Sequence, residues 1–123
     1  MKDLASTRIG VIGMGYVGLP LAVEFGRQYD TVGYDIDADR IASLRNGEGD
    51  RNREVSAEEL HAATRLTLTA TLDDLRRCGV YIVTVPTPIN EHKHPDFTPL
   101  IQASAAIGGL LSPGDIVIYE STV

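Results

Sequence analysis

The chain has 123 residues, 43% of them hydrophobic, and 11 Lys and Arg against 17 Asp and Glu give a net charge of −6. That size describes one domain able to bury a core unaided, while acidity with scattered basic residues argues against a nucleic-acid partner. The single Cys78 excludes an internal disulfide and a thiolate zinc cluster, and no stretch approaches the roughly 18 apolar residues of a membrane span.

Residues 1–8 lack the apolar run of a secretory signal, so a reducing cytoplasm is the expected compartment. Arg8-Ile9-Gly10-Val11-Ile12-Gly13 is short, β-branched and continuously apolar, as a strand buried on both faces of a parallel sheet should be. The period then changes to four. Val17, Leu21 and Phe25, flanked by Leu19 and Ala22, predict a helix packed on the sheet, starting near Tyr16 with Pro20 in its first turn.

Thr31-Val32-Gly33-Tyr34-Asp35 reads as a second strand, and Asp37 as the cap of a helix whose Ile41 and Leu44 face inward before Asn46 and Gly47 end it. Residues 48–54 are charged and aperiodic, an exposed loop. Ser56 and Glu59 form a capping box for a short helix through about Ala63. Leu66-Thr67-Leu68-Thr69 reads as a third strand, possibly at an edge, residues 73–77 as a brief helix, and residues 80–85 as a fourth strand. Pro86, Pro88 and Pro95 punctuate a loop, and Pro99 opens a helix running to about Leu111. Residues 116–120 make a fifth strand. This alternation predicts an α/β domain with a doubly wound, mostly parallel sheet of strand order 3-2-1-4-5 and helices on both faces.

Gly13-Met14-Gly15-Tyr16-Val17-Gly18 is G-x-G-x-x-G between a buried strand and an amphipathic helix, and Asp35 closes the second strand 22 residues after Gly13. Gly13 permits the turn, Gly15 admits a diphosphate to the backbone, and Gly18 lets helix and strand touch. The helix N-terminus then offers unpaired N–H groups to that diphosphate, so an acidic protein needs no basic patch to bind it. Asp35 accepts hydrogen bonds from the adenosine ribose hydroxyls and repels a 2′-phosphate, which favours NAD over NADP. The motif in this context predicts a Rossmann-like cofactor domain.

With Val85-Pro86-Thr87-Pro88 after the fourth strand and Glu120-Ser121-Thr122-Val123 after the fifth, the chain resembles the UDP-glucose/GDP-mannose dehydrogenase family of nucleotide-sugar 6-dehydrogenases. It is most similar to the UDP-N-acetylhexosamine dehydrogenases of the Vi-polysaccharide and O-antigen type. The resemblance implies NAD-dependent oxidation of a sugar C6 alcohol to a carboxylate in polysaccharide biosynthesis, through a cysteine adduct. It also implies that residues 1–123 are the N-terminal NAD-binding domain of a longer homodimeric enzyme. The UDP-sugar domain, the dimerisation segment and the nucleophilic cysteine and lysine would lie outside this chain, which alone should be inactive.

Carried over from that resemblance, the cofactor-binding residues are Gly13, Gly15, Tyr16, Val17, Gly18, Asp35, Arg40, Pro86, Thr87 and Thr122. Arg40 would contact the adenosine end, Pro86 and Thr87 the diphosphate and nicotinamide ribose. Thr122 would orient the nicotinamide or an active-site water, the single catalytic expectation. Glu120 and Ser121 are its neighbours without assigned roles. Cys78 does not match the nucleophile's position and reads as a small core residue. His92 and His94 lack a third ligand nearby, so no metal is expected. UDP-glucose or GDP-mannose 6-dehydrogenase, or a non-catalytic NAD-binding module, are the alternative readings.

Overall fold

The computed structural model describes residues 7–15, 17–46, 55–89 and 91–120. In chain order these form β1 (Ile9–Ile12), α1 (Gly18–Gly26), β2 (Thr31–Tyr34), α2 (Ala38–Arg45), α3 (Ala57–Ala62), β3 (Leu66–Thr69), a 3₁₀ turn (Leu72–Leu75), β4 (Val80–Val83), α4 (Thr98–Gly108) and β5 (Ile116–Tyr119). The five strands are all parallel, in the order β3-β2-β1-β4-β5, as the alternating pattern predicts.

Successive side chains of a strand point to opposite faces, and the core divides accordingly. Ile9, Val11 and Ile82 join Leu19, Ala22, Val23, Ile41 and Leu44 under α1 and α2. On the other face, Ile12, Tyr81 and Val83 join Leu75, Cys78, Ile107 and Leu110. Tyr81 is wholly buried, and its hydroxyl donates to the Leu75 carbonyl at 2.9 Å, so this polar atom enters the core with a partner.

Asp37 caps α2 by accepting from the Asp39 and Arg40 N–H groups, and Ser56 with Glu59 completes the capping box on α3. The charged stretch 48–54 lies outside the described residues.

Three expectations are corrected. The brief helix expected at residues 73–77 is the shorter 3₁₀ turn Leu72–Leu75, which starts one residue earlier and ends two residues earlier. β4 stops at Val83, two residues before the expected end, although Thr84 still donates its backbone N–H to Ile12; Pro86 has no N–H with which to extend a ladder. The inward face of α1 is also rotated from the expected stripe. Gly18, Leu19, Ala22, Val23 and Gly26 are its buried residues, while Val17 is 43% exposed and Leu21 and Phe25 pack at the flank. Small residues at 18, 22 and 26 bring the helix axis close to the sheet: a Cβ on Gly26 would sit 2.6 Å from the Leu66 Cβ.

Candidate cofactor site

Parallel register decides what meets at the carboxyl edge. Ile12 lies level with Tyr34 of β2 and with Val83 of β4. The next residue of each strand is therefore Gly13, Asp35 and Thr84, side by side at the edge where ligands bind in open α/β sheets.

Gly13 adopts φ +101°, a backbone conformation that L side chains rarely adopt, and donates its N–H to the Tyr34 carbonyl at 2.7 Å. The backbone turns sharply there toward α1. Gly18, the first residue of α1, is enclosed: a Cβ on it would lie 1.7 Å from the Gly13 carbonyl oxygen and 2.4 Å from Thr84 Oγ1. Gly15 is the opposite case. A Cβ on Gly15 would meet nothing within 4 Å, so the turn presents open space above the N-terminus of a nine-residue helix. That space, with the helix dipole and its unpaired N–H groups, fits a diphosphate.

Asp35 is tied to the same turn. Its Oδ2 accepts the Met14 N–H at 2.8 Å and its Oδ1 the Asp37 N–H at 2.9 Å. Each carboxylate oxygen has two lone pairs, so both remain able to accept a ribose hydroxyl. The neighbouring Tyr34 hydroxyl titrates above its ordinary range, because of partial burial first and the Asp35 charge second. Arg40 approaches from α2, with Nε and Nη2 donating to the Met14 carbonyl at 3.1 and 2.9 Å. The Arg40 guanidinium thus grips the turn from the α2 side.

Pro86 is exposed and Thr87 half-buried in the loop beyond β4, on the same edge of the sheet. Val17 is exposed beside the turn and, with Leu21, Phe25, Ile82, Ile118 and Glu120, lines an open groove between α1 and β5. Tyr16, Ser121 and Thr122 lie outside the described residues. Cys78 sits at the opposite edge, 3% exposed, where burial pushes its thiol up to about 11. His92 and His94 are exposed in the proline-rich loop, and among the described residues no group of three His, Cys, Asp or Glu side chains could hold a metal ion. No described helix is long and apolar enough to cross a membrane.

Two contributors escape motif reading. Ile36, beside Asp35, is 82% exposed, an apolar surface at the end of β2. Thr84, 8% exposed, directs its hydroxyl at the Ile12 and Gly13 carbonyls, 2.9 and 2.8 Å away. No local signal in the sequence marks Thr84; the β1–β4 register places it.

Comparison with known proteins agrees with this geometry. Residues 7–123 match the model of the UDP-glucose/GDP-mannose dehydrogenase family, NAD binding domain. The chain is 59% identical over its full length to a UDP-N-acetyl-D-glucosamine 6-dehydrogenase of Pseudomonas aeruginosa, covering 28% of that protein. It is 51% identical over its full length to the Salmonella typhi enzyme of the same name, covering 29% of it. The solved structure of a UDP-D-ManNAc dehydrogenase from Pyrococcus horikoshii superposes with a TM-score of 0.81 at 33% identity, over 94% of this chain and 28% of that one. The chain therefore spans less than a third of the length of these relatives. A parallel 3-2-1-4-5 sheet, a glycine turn open at Gly15 and the match over residues 7–123 together place the chain in the UDP-glucose/GDP-mannose dehydrogenase family, as its NAD binding domain.

Proposed function

We propose that the chain is the N-terminal cofactor domain of a longer NAD-dependent 6-dehydrogenase acting on a UDP-N-acetylhexosamine. The observation that carries the cofactor half is the pairing of an unobstructed Gly15 with Asp35, whose carboxylate reaches the same turn at 2.8 Å. The names of the relatives at 59% and 51% identity support the sugar half.

In this reading the turn N–H groups and the α1 N-terminus hold the diphosphate. Asp35 accepts from both adenosine ribose hydroxyls, and its charge rejects a 2′-phosphate. Ile36 offers its exposed side chain to the adenine, and Arg40 keeps the turn in register beneath the adenosine. Pro86 and Thr87, in the loop beyond β4, border the nicotinamide half, and the family resemblance assigns Thr122 to the same half. NAD supplies the hydride acceptor. The sugar-binding residues, the thiol that captures the aldehyde, and the dimer contacts belong to the portion of the relatives that this chain does not cover.

The test is a comparison of the 123-residue chain with the same chain extended to the length of its relatives. The extended protein should form reduced cofactor with UDP-N-acetylglucosamine, and the 123-residue chain should bind NAD without turnover. Turnover by the short chain, or an extended protein that turns over only UDP-glucose or GDP-mannose, contradicts the reading.

A further inference from the structure

We propose that Thr84 is a positioning residue of the cofactor turn, acting through the peptide that joins Gly13 to Met14. That peptide is held at both ends. Its carbonyl oxygen lies 2.8 Å from Thr84 Oγ1 and its N–H donates to Asp35 Oδ2 at 2.8 Å. The following peptide is held at its carbonyl by Arg40, 2.9 Å from Nη2. Carbonyl and N–H point opposite ways across a trans peptide, so these contacts also aim the Gly15 N–H.

Glycine at φ +101° has broad conformational freedom, so residue 13 does not fix the peptide plane by itself. The partners do. Thr84 supplies the clamp from the β4 side. Its backbone N–H is bound to the Ile12 carbonyl at 2.9 Å, and its single hydroxyl proton is shared between the carbonyls of Ile12 and Gly13. The hydroxyl is buried where α1 begins, 2.4 Å from the position a Gly18 Cβ would take. A buried carbonyl that loses its donor turns toward another one. The turn's N–H groups would then swing away from the diphosphate.

The inference rests on the cofactor reading above, and its test separates the two. Affinities of NAD, ADP and adenosine are measured on the 123-residue chain by calorimetry and, for adenosine, by NMR titration. Thr84→Val keeps the shape and removes the hydroxyl. It should weaken NAD and ADP by about tenfold and leave adenosine, which has the ribose but no phosphate, within about twofold. Thr84→Ser, which restores the hydroxyl, should recover NAD and ADP to within about twofold of the wild type. If Thr84→Val does not fold, Thr84→Ala carries the same comparison. ADP binding unchanged in the folded hydroxyl-free variant overturns the proposal, as does an equal loss for adenosine or a failure of serine to rescue. A wild-type chain that binds neither NAD nor ADP overturns the cofactor reading itself.

Discussion

Toward the amino edge of the sheet, Gly10 is closed in: a Cβ there would meet Leu75 Cδ2 at 2.9 Å and Cys78 Sγ at 3.2 Å. Three residues beyond Ile12, at the carboxyl edge, Gly15 has nothing within 4 Å. Both glycines belong to the same stretch of chain and are bare for different reasons. At the closed edge the missing side chain makes room for neighbouring protein atoms, and at the open edge it leaves room for a ligand. The closed edge has a buried thiol and a satisfied buried tyrosine, while the open edge has an aspartate, an arginine and a threonine trained on one backbone turn. The candidate site is a backbone turn held by three side chains, with room beside Gly15.

The largest effect that breaks this contrast comes from Gly18→Val. The new Cβ would fall 1.7 Å from the Gly13 oxygen, in a peptide that Thr84 and Asp35 hold in place. The domain should lose more than about 3 kcal/mol, and thermal unfolding should shift down by about 10 °C or more. Gly15→Val tests the open edge with the same substitution. Unfolding should move by less than about 1 kcal/mol, while calorimetry should find NAD binding abolished, because the side chain fills the diphosphate's space. Equal stability losses in the two variants would erase the distinction between the edges.

Asp35→Ala comes next. It removes the proposed ribose acceptor and the partner of the Met14 N–H at 2.8 Å together. NAD affinity should fall by about 10- to 100-fold, the worth of charge-assisted hydrogen bonds, and the preference over NADP should vanish. An alanine variant that still discriminates against NADP would place the selectivity elsewhere.

At the closed edge the expected effects are smaller and appear with pH. Burial first, and the Asp115 charge after it, outweigh Arg8 to raise the Cys78 thiol from 9.0 to about 11. The fold therefore prefers the neutral thiol. Its contribution to stability is complete below pH 9 and is lost as pH rises toward about 11. Tyr81, raised from 10.0 to about 12 mainly by burial, adds a second loss above pH 10. Thermal unfolding should thus fall across this alkaline range, and Cys78→Ala should flatten the lower part of the fall. At pH 8 the native thiol should resist alkylating reagents that label the denatured chain within minutes.

The elements legible in the sequence are those set by local rules. The apolar run at residues 9–12 announced a doubly buried strand, Asp37 and the Ser56–Glu59 pair announced their helix caps, and the glycine pattern announced the sharp turn at Gly13. Features decided by contacts distant in sequence were not legible. Thr84 looks like any β-branched strand residue until the β1–β4 register sets its hydroxyl against Gly13, 71 residues away. The family resemblance sets Arg40 at the adenosine, and its grip on the Met14 carbonyl depends on how α2 leans against the turn. The period-four stripe of Val17, Leu21 and Phe25 drew attention to bulk. Close approach to the sheet instead selected the small residues Gly18, Ala22 and Gly26 as the buried face.

NAD should occupy the open carboxyl edge and leave the amino edge untouched. The direct measurement is an NMR titration of the isotopically labelled chain with NAD, following backbone amides at both edges. Shifts should be concentrated at Gly13, Met14, Gly15, Asp35, Ile36 and Thr87, with Gly10, Cys78 and Gly79 unmoved. Shifts centred on Gly10, Cys78 and Gly79, or a saturating titration that leaves Gly15 and Asp35 where they began, would contradict it.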